Sequence, residues 1–324
     1  MEQGQMYQVD ELYIYAEETR GGDLRLLRCY GSVPQAELPG VVDGHMVTAI
    51  GDYCFAESPK AHQSCHTLPD GVRELAGEYL QSVMIPDSVT SLGSLAFYNC
   101  SNLEEIFFGA NLEKVGSDVF MNCPKLRIWN IRSLMEERTG LKQLLAQRMS
   151  ETTVLFRQGE ETAGEIFFPE YYEYHDEIGP AHIFALSIYG EGFRARQCFQ
   201  DGIFSARSYD EIFEQACAQE DDVTLCKMAF GRVYFPVSLG REAQEIYTAY
   251  LKEHEKLLAK ILVEGREKDR LLYAVQNGIL SETGLQYAVR LAAGKEWPEG
   301  AAVLLSAGQE AHSAAGDRYS FDEF

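Results

Sequence analysis

The stretch richest in reactive side chains runs from Glu170 to Arg196. It opens with Glu170-Tyr-Tyr-Glu-Tyr-His-Asp-Glu177, passes His182 and closes on Gly190-Glu-Gly-Phe-Arg-Ala-Arg196. Glycines at 190 and 192 free the backbone to aim its N–H groups at an anion, and two arginines add charge and planar donors. Gly190, Gly192, Arg194 and Arg196 are therefore the candidate anion-binding set. The third glycine and following helix of a dinucleotide loop are missing, as is the lysine of a phosphate loop. His175, Asp176, Glu177 and His182 carry metal-ligand chemistry, but neighbours on an extended segment point to opposite sides and do not converge. His62, Cys65 and His66, with Cys54, could offer zinc ligands. Zinc needs about four convergent N or S donors, and no second cysteine pair stands at a standard spacing. We assign neither a metal nor a cofactor.

Nucleophilic catalysis has no better anchor. There is no Gly-x-Ser-x-Gly elbow. Cys198, Cys217 and Cys226 fall in apolar or helical contexts and read as packing. Carboxylates are too numerous for any pair to stand out as acid and base. No catalytic residue is assigned. The alternative to be tested is a hydrolase or transferase, or a small-anion sensor, with its site around Tyr171–Arg196. That reading requires His182, Arg194, Arg196 and a carboxylate to meet in one pocket.

The elements that would position such residues are announced by an internal repeat. Gly93 recurs as Gly116, Phe97 as Phe120, Cys100 as Cys123 and Leu103 as Leu126, each after 23 residues. Strand positions keep the same step: Leu80, Leu103, Leu126; Val83, Ile106, Trp129; Ile85, Phe108, Ile131. An earlier unit, Val47-Thr-Ala-Ile-Gly-Asp-Tyr-Cys-Phe55, lies 42 residues before Val89-Thr-Ser-Leu-Gly-Ser-Leu-Ala-Phe97, so the unit between them, around Lys60–Tyr79, is irregular. A unit this short cannot bury its own apolar face and must stack on its neighbours.

The pattern Ile-Pro-x-x-Val-x-x-Ile-Gly-x-x-Ala-Phe-x-x-Cys-x-x-Leu resembles the BspA-like leucine-rich repeats. The opening segments Leu12–Tyr15 and Leu24–Tyr30, and Leu38-Pro-Gly with Gly44-His-Met-Val47, resemble the usual start of that family. The resemblance covers about residues 10–132 and implies a curved solenoid with a parallel strand face and a binding role. Positions between the inward ones form two outward rows: Met84, Phe107, Asn130, and Ser82, Glu105, Ile128. Met84, Phe107 and Ile128 are apolar where water is expected, which marks an interaction surface. With Glu105 and Asn130 they form the candidate protein-binding set.

After residue 132 the pattern changes. Ser133-Leu-Met-Glu136 has the form of a capping box, and Leu134, Leu141, Leu144 and Leu145 follow at helical spacing. A helix over 133–150 is expected to close the solenoid. Residues 151–207 read as a linking β-containing segment, with strands at Thr153–Arg157 and Glu165–Phe168. From Ser208-Tyr-Asp-Glu211 the chain reads helical, at Tyr209–Ala218, Asp222–Phe230, Leu239–Leu262, Asp269–Asn277, Ser281–Ala293 and Pro298–Gln309. This array, 208–312, loosely resembles ankyrin- or HEAT-type helix pairs, and 313–324 reads as a flexible tail. The fold class is α+β: a short leucine-rich-repeat solenoid followed by a mostly helical, helix-pair domain.

Composition narrows the function. A hydrophobic fraction of 46% and a charged fraction of 24% describe a globular chain. The net charge of −22, spread over both halves, repels nucleic acid and anionic membranes at long range. No basic and apolar leader opens the sequence and no apolar run reaches membrane length. Eight cysteines then fit a reducing compartment, the cytoplasm, better than a disulfide framework. The expected function is a protein–protein interaction module or scaffold, using the strand face, the helical surface or the groove between them.

Overall fold

Each 23-residue period is one coil of chain that supplies a strand to each of two sheets. In the computed structural model, residues 4–62, 67–178 and 183–319 are described. One sheet runs Gln5–Val9, Leu12–Glu18, Leu24–Gly31, His45–Ile50, Ser91–Leu92, Lys114–Val115. The other runs Gln35–Glu37, Ser82–Met84, Glu105–Gly109, Ile128–Arg132, Thr152–Gln158, Glu161–Phe168. Parallel pairing between successive coils aligns Val83, Ile106, Trp129 and Val154 in one row. All four are buried, so the core is a column of like positions between the sheets.

The return limbs show why the repeat needs its glycines. A Cβ on Gly93 would lie 2.4 Å from the Asp52 amide nitrogen, and one on Gly116 would lie 2.4 Å from that of Ser94. Neighbouring backbone occupies the space a side chain would need. Tyr53, Leu95 and Asp118 recur at φ near +55° (58°, 55° and 54°), a left-handed turn that costs about 1 kcal/mol per non-glycine residue. Coil-to-coil hydrogen bonds hold these turns, with the Phe55 N–H donating to the Ala96 carbonyl (2.8 Å) and the Phe97 N–H to that of Val119 (3.0 Å). Phe55, Phe97 and Phe120 stack at 4.9 and 5.3 Å, and Trp129 meets Phe120 at 5.4 Å. The thiols of Cys100 and Cys123 donate to the carbonyls of Phe55 and Phe97 at 3.1 and 3.0 Å.

The strand ladder does not end at residue 132. Thr152–Gln158 pairs parallel with Ile128–Arg132 and turns back antiparallel as Glu161–Phe168. The segment between is thus another return limb, and the expected helix over 133–150 shrinks to Leu141–Leu145. Ser133 starts no helix: its hydroxyl donates to Glu137 at 2.8 Å, and the same carboxylate accepts the Leu134 N–H at 3.0 Å. Buried Arg148 donates to the carbonyls of Cys123 and Leu126 and ties this limb to the preceding coil. Burial pulls its guanidinium down to about 10.

The chain divides into two compact units, Met1–Tyr209 and Asp210–Phe324. The second holds helices Phe213–Gln219, Asp222–Tyr234, Arg241–Glu253, Glu255–Glu264, Lys268–Gln276, Glu282–Gly294 and Pro298–Tyr319. Asp221 and Ser281 cap two of them by accepting the N–H groups of Thr224 and Gly284. The expected Leu239–Leu262 helix breaks at His254, whose ring stacks on Tyr250 at 4.1 Å. Ser208 lies inside the helix Ala206–Glu211 rather than capping it; Ser205 accepts the Ser208 N–H instead. The last helix carries the backbone from Pro298 to Tyr319. Buried Arg232 is held by Asp210 (2.8 Å), which also accepts from the Tyr247 hydroxyl (2.9 Å).

Candidate protein-interaction face

Alternation along a strand sends every second side chain outward. In the second sheet the outward rows are Ser82, Glu105, Ile128, Thr153 and Met84, Phe107, Asn130, Leu155. The second row extends to Glu37 beside Met84 and to Glu165 beside Leu155. Ile128 is 38% exposed; Met84, Phe107 and Glu105 are half-buried; Gln35 and Glu37 are exposed. These residues form an apolar centre with acidic neighbours on a backbone locked by ladder hydrogen bonds.

Asn130 departs from expectation. It is 1% exposed, and its amide donates to the Glu105 carboxylate at 2.7 Å. The reason is the continuing ladder: with the sheet running to Phe168, Asn130 is an interior position and not the margin of the surface. Glu165 and Phe167, farther along, are also buried. The open part of the face therefore lies toward Glu37, Met84 and Phe107. Asn130 orients Glu105 and is not itself presented.

The anion-binding set does not assemble as the sequence suggested. Arg196 is 2% exposed, and its guanidinium donates to the carbonyls of Pro169 (2.6 Å), Gly192 (2.8 Å) and Ser150 (2.7 Å). It also lies 5.2 Å over the Tyr171 ring. Burial pulls it down to about 10. Arg194, by contrast, is exposed near Glu191. Gly192 is needed for packing, since a Cβ there would meet the Pro169 carbonyl oxygen at 2.2 Å. Gly190 supplies a left-handed turn at φ 90°. One arginine inside and one outside cannot clasp the same ion. Sequence alone could not show that the carbonyls of Ser150 and Pro169, far away in the chain, would claim Arg196.

Among the described residues, no group of three or more His, Cys, Asp or Glu is placed to hold a metal. His182, Cys65 and His66 lie outside the described residues, as do the side chains of Asp176 and Glu177. Cys29, Cys54, Cys100, Cys123, Cys198, Cys217 and Cys226 are free thiols. Burial pushes Cys226 up to about 12 and Cys54 well above the ordinary thiol value, the wrong direction for a nucleophile. Cys123 moves down beside the Cys100 side chain, but it is only 2% exposed. Among the described residues, no helix is long and apolar enough to cross a membrane.

One surface escaped the sequence reading. Tyr172–Ile178 and Ile183–Tyr189 form a separate two-stranded antiparallel sheet. Tyr172, Tyr174, Leu186 and Tyr189 on it are each more than half exposed. Its signal in the sequence is a run of tyrosines among acids from Glu170 to Glu177.

Residues 44–138 match the BspA type leucine rich repeat region in six copies. Residues 44–138 of the first unit are therefore BspA-type leucine-rich repeats, in keeping with their stacked coils, and repeats of this family point to protein-interaction or surface-adhesion modules. Among solved structures, a leucine rich cell surface protein from Faecalibacterium prausnitzii A2-165 is similar at 25% identity and TM-score 0.28, over 38% of this chain and 29% of that one. The pneumococcal vaccine antigen PcpA is similar at 16% identity and TM-score 0.25, over 41% of this chain and 39% of that one. A T. pallidum leucine rich repeat protein is similar at 20% identity and TM-score 0.21, over 40% of this chain and 73% of that one. The chain thus spans less than a third of the length of the first of these. No curated protein matches.

Proposed function

We propose that this chain is a cytoplasmic protein-docking module that binds a protein partner on the outward face of the second sheet, with Met84, Phe107 and Ile128 at the contact centre and Glu37 and Glu105 at its rim. The observation that carries the reading is an apolar pair with an apolar neighbour in the adjoining row. Half-buried Met84 and Phe107 sit side by side on adjacent parallel strands, and exposed Ile128 lies on the next strand, opposite Glu105. Rigid strands hold these side chains in place before binding, which lowers the ordering cost of association.

The test compares the full chain with Met84→Glu/Phe107→Glu as baits in native lysate. A partner held by the first and lost by the second, with both baits melting alike, is the expected result. Equal capture by the two baits would remove this face from the function. Compartment is tested separately by alkylating thiols in intact cells and fractionating them. Recovery of the cysteines as disulfides would contradict a cytoplasmic site.

A further inference from the structure

We propose that the hairpin of Tyr172–Ile178 and Ile183–Tyr189 is a second docking element, which takes an extended basic segment of a protein partner as an added strand along the Tyr172–Ile178 edge. This is independent of the strand-face reading, because it uses different residues and a different mode of recognition.

The hairpin pairs with no other described strand, so both its edges carry backbone donors and acceptors open to a further strand. Such edges are usually blunted by charge, by proline or by a bulge. Tyr172–Ile178 contains no lysine and no proline, and its register with Ile183–Tyr189 runs without a shift, so its only guard is three acids, which repel an acidic strand and admit a basic one. A lone two-stranded ribbon is marginal in water, but the base of this one is fixed. Tyr171 is 4% exposed, its N–H donates to the Met149 carbonyl at 3.0 Å, and its ring is flanked by Arg196 and by Phe193 at 5.6 Å. A clamped base presenting an unpaired edge guarded only by acids suits addition of a basic strand.

Charge selects the partner and the edge. From Gln158 to Phe193 the chain has eight acids and no lysine or arginine. Within the hairpin every acid lies on the first strand, at Glu173, Asp176 and Glu177, whereas Ile183–Tyr189 has none. Alternation puts exposed Tyr172 and Tyr174 on one side and exposed Glu173 and His175 on the other. The matching segment therefore alternates: lysine or arginine toward Glu173, and apolar or aromatic residues toward the tyrosines, where arginine can also lie over a ring. A second copy of this chain, itself at −22, is the wrong occupant on charge.

The test uses the full chain and a fluorescent peptide alternating Arg or Lys with Val or Tyr, read by anisotropy. Its two comparators are the same peptide N-methylated at alternate backbone nitrogens, and a version with Glu in place of each base. Expected is saturable binding of the first peptide that weakens about tenfold or more on N-methylation. It should be lost with the acidic version and weaken with rising salt. Amide exchange across 172–178 should slow on binding. Glu173→Lys/Tyr174→Ser should weaken binding about tenfold, whereas Glu242→Lys, on the exposed surface of the helical unit, should leave it unchanged. Both residues of the double variant are solvent-exposed, and matched melting curves would show that the fold is kept. Equal binding of the N-methylated peptide would reduce the effect to charge alone and overturn strand addition. No binding, or binding indifferent to Glu173→Lys/Tyr174→Ser, would overturn the site. Dimerisation by sedimentation that the double variant abolishes would give the edge to a second copy and also overturn the proposal.

Discussion

At the scale of single residues, the repeat is a set of positions where only one side chain fits. Gly116 sits against the backbone of the preceding coil, with Ser94 N at 2.4 Å and the Gly93 carbonyl carbon at 2.6 Å from a built Cβ. Backbone cannot swing aside as a flexible side chain can. Gly116→Ala should therefore destabilise the solenoid by about 2–4 kcal/mol, read as a lowered urea midpoint of the Trp129 signal. A milder effect belongs to Glu137. The Leu134 N–H, and after it the Ser133 hydroxyl, hold its carboxyl below the ordinary value of 4.5. A folded value below the unfolded one means the contribution is full above that ordinary value and is lost as pH falls through the lowered one. Glu137→Gln should thus flatten the fall in melting temperature on acidification below the ordinary carboxylate value. If wild type and variant fall in parallel, the carboxylate contributes nothing. Cysteine tells the same story as glycine: Cys100 and Cys123 recur because a small side chain with one weak donor fits under the carbonyl of the neighbouring coil.

At the scale of elements, the decisive fact is where the strand ladder stops. Trp129 and Ile131 are fully buried on a strand flanked on one side by Glu105–Gly109 and on the other by Thr152–Gln158. A fragment ending at residue 150, which the repeat period alone would recommend as a soluble domain, removes that flanking strand. It also removes Arg196 and the Phe168–Phe204–Tyr209 cluster, with ring centres 5.7 to 6.2 Å apart. Residues 1–150 should aggregate through the bared edge, whereas residues 1–209 should be monomeric with a strand-rich dichroism spectrum. A soluble, cooperatively melting 1–150 fragment would show that the hairpin Thr152–Phe168 is dispensable to the core.

At the scale of the whole molecule, each unit carries its own core and its own reporter. The chain has two tryptophans: Trp129 is fully buried in the first unit and Trp297 is 6% exposed in the second. Proteins retaining one tryptophan each, made by Trp297→Phe and Trp129→Phe, should unfold with non-coincident urea transitions. Superimposable curves would instead mean that the units fold as one. The charge of −22 acts on both together, so neutral salt should raise both midpoints by screening self-repulsion.

Much of this was legible in the chain itself, for a physical reason. A solenoid is quasi-one-dimensional, so each coil repeats the same local demands: Gly93 and Gly116 at the tight approach, Phe97 and Phe120 in the aromatic stack, Val83, Ile106 and Trp129 in the inward row. Period and inward face follow from those residues without any long-range information. The same holds for the terminal helices, whose caps and apolar spacing are local. What the tertiary structure alone decided are matters of who claims whom across distance. Arg196 looked free to bind an anion until the carbonyls of Ser150, Pro169 and Gly192 claimed it. Asn130 looked outward until a further hairpin, lacking the repeat motif, continued the sheet beyond it. Tyr172–Ile178 looked like scattered chemistry until its pairing with Ile183–Tyr189 left an open edge. Spacing along the chain encodes what recurs locally; the partners of a buried cation or an unpaired strand are set only when distant segments meet.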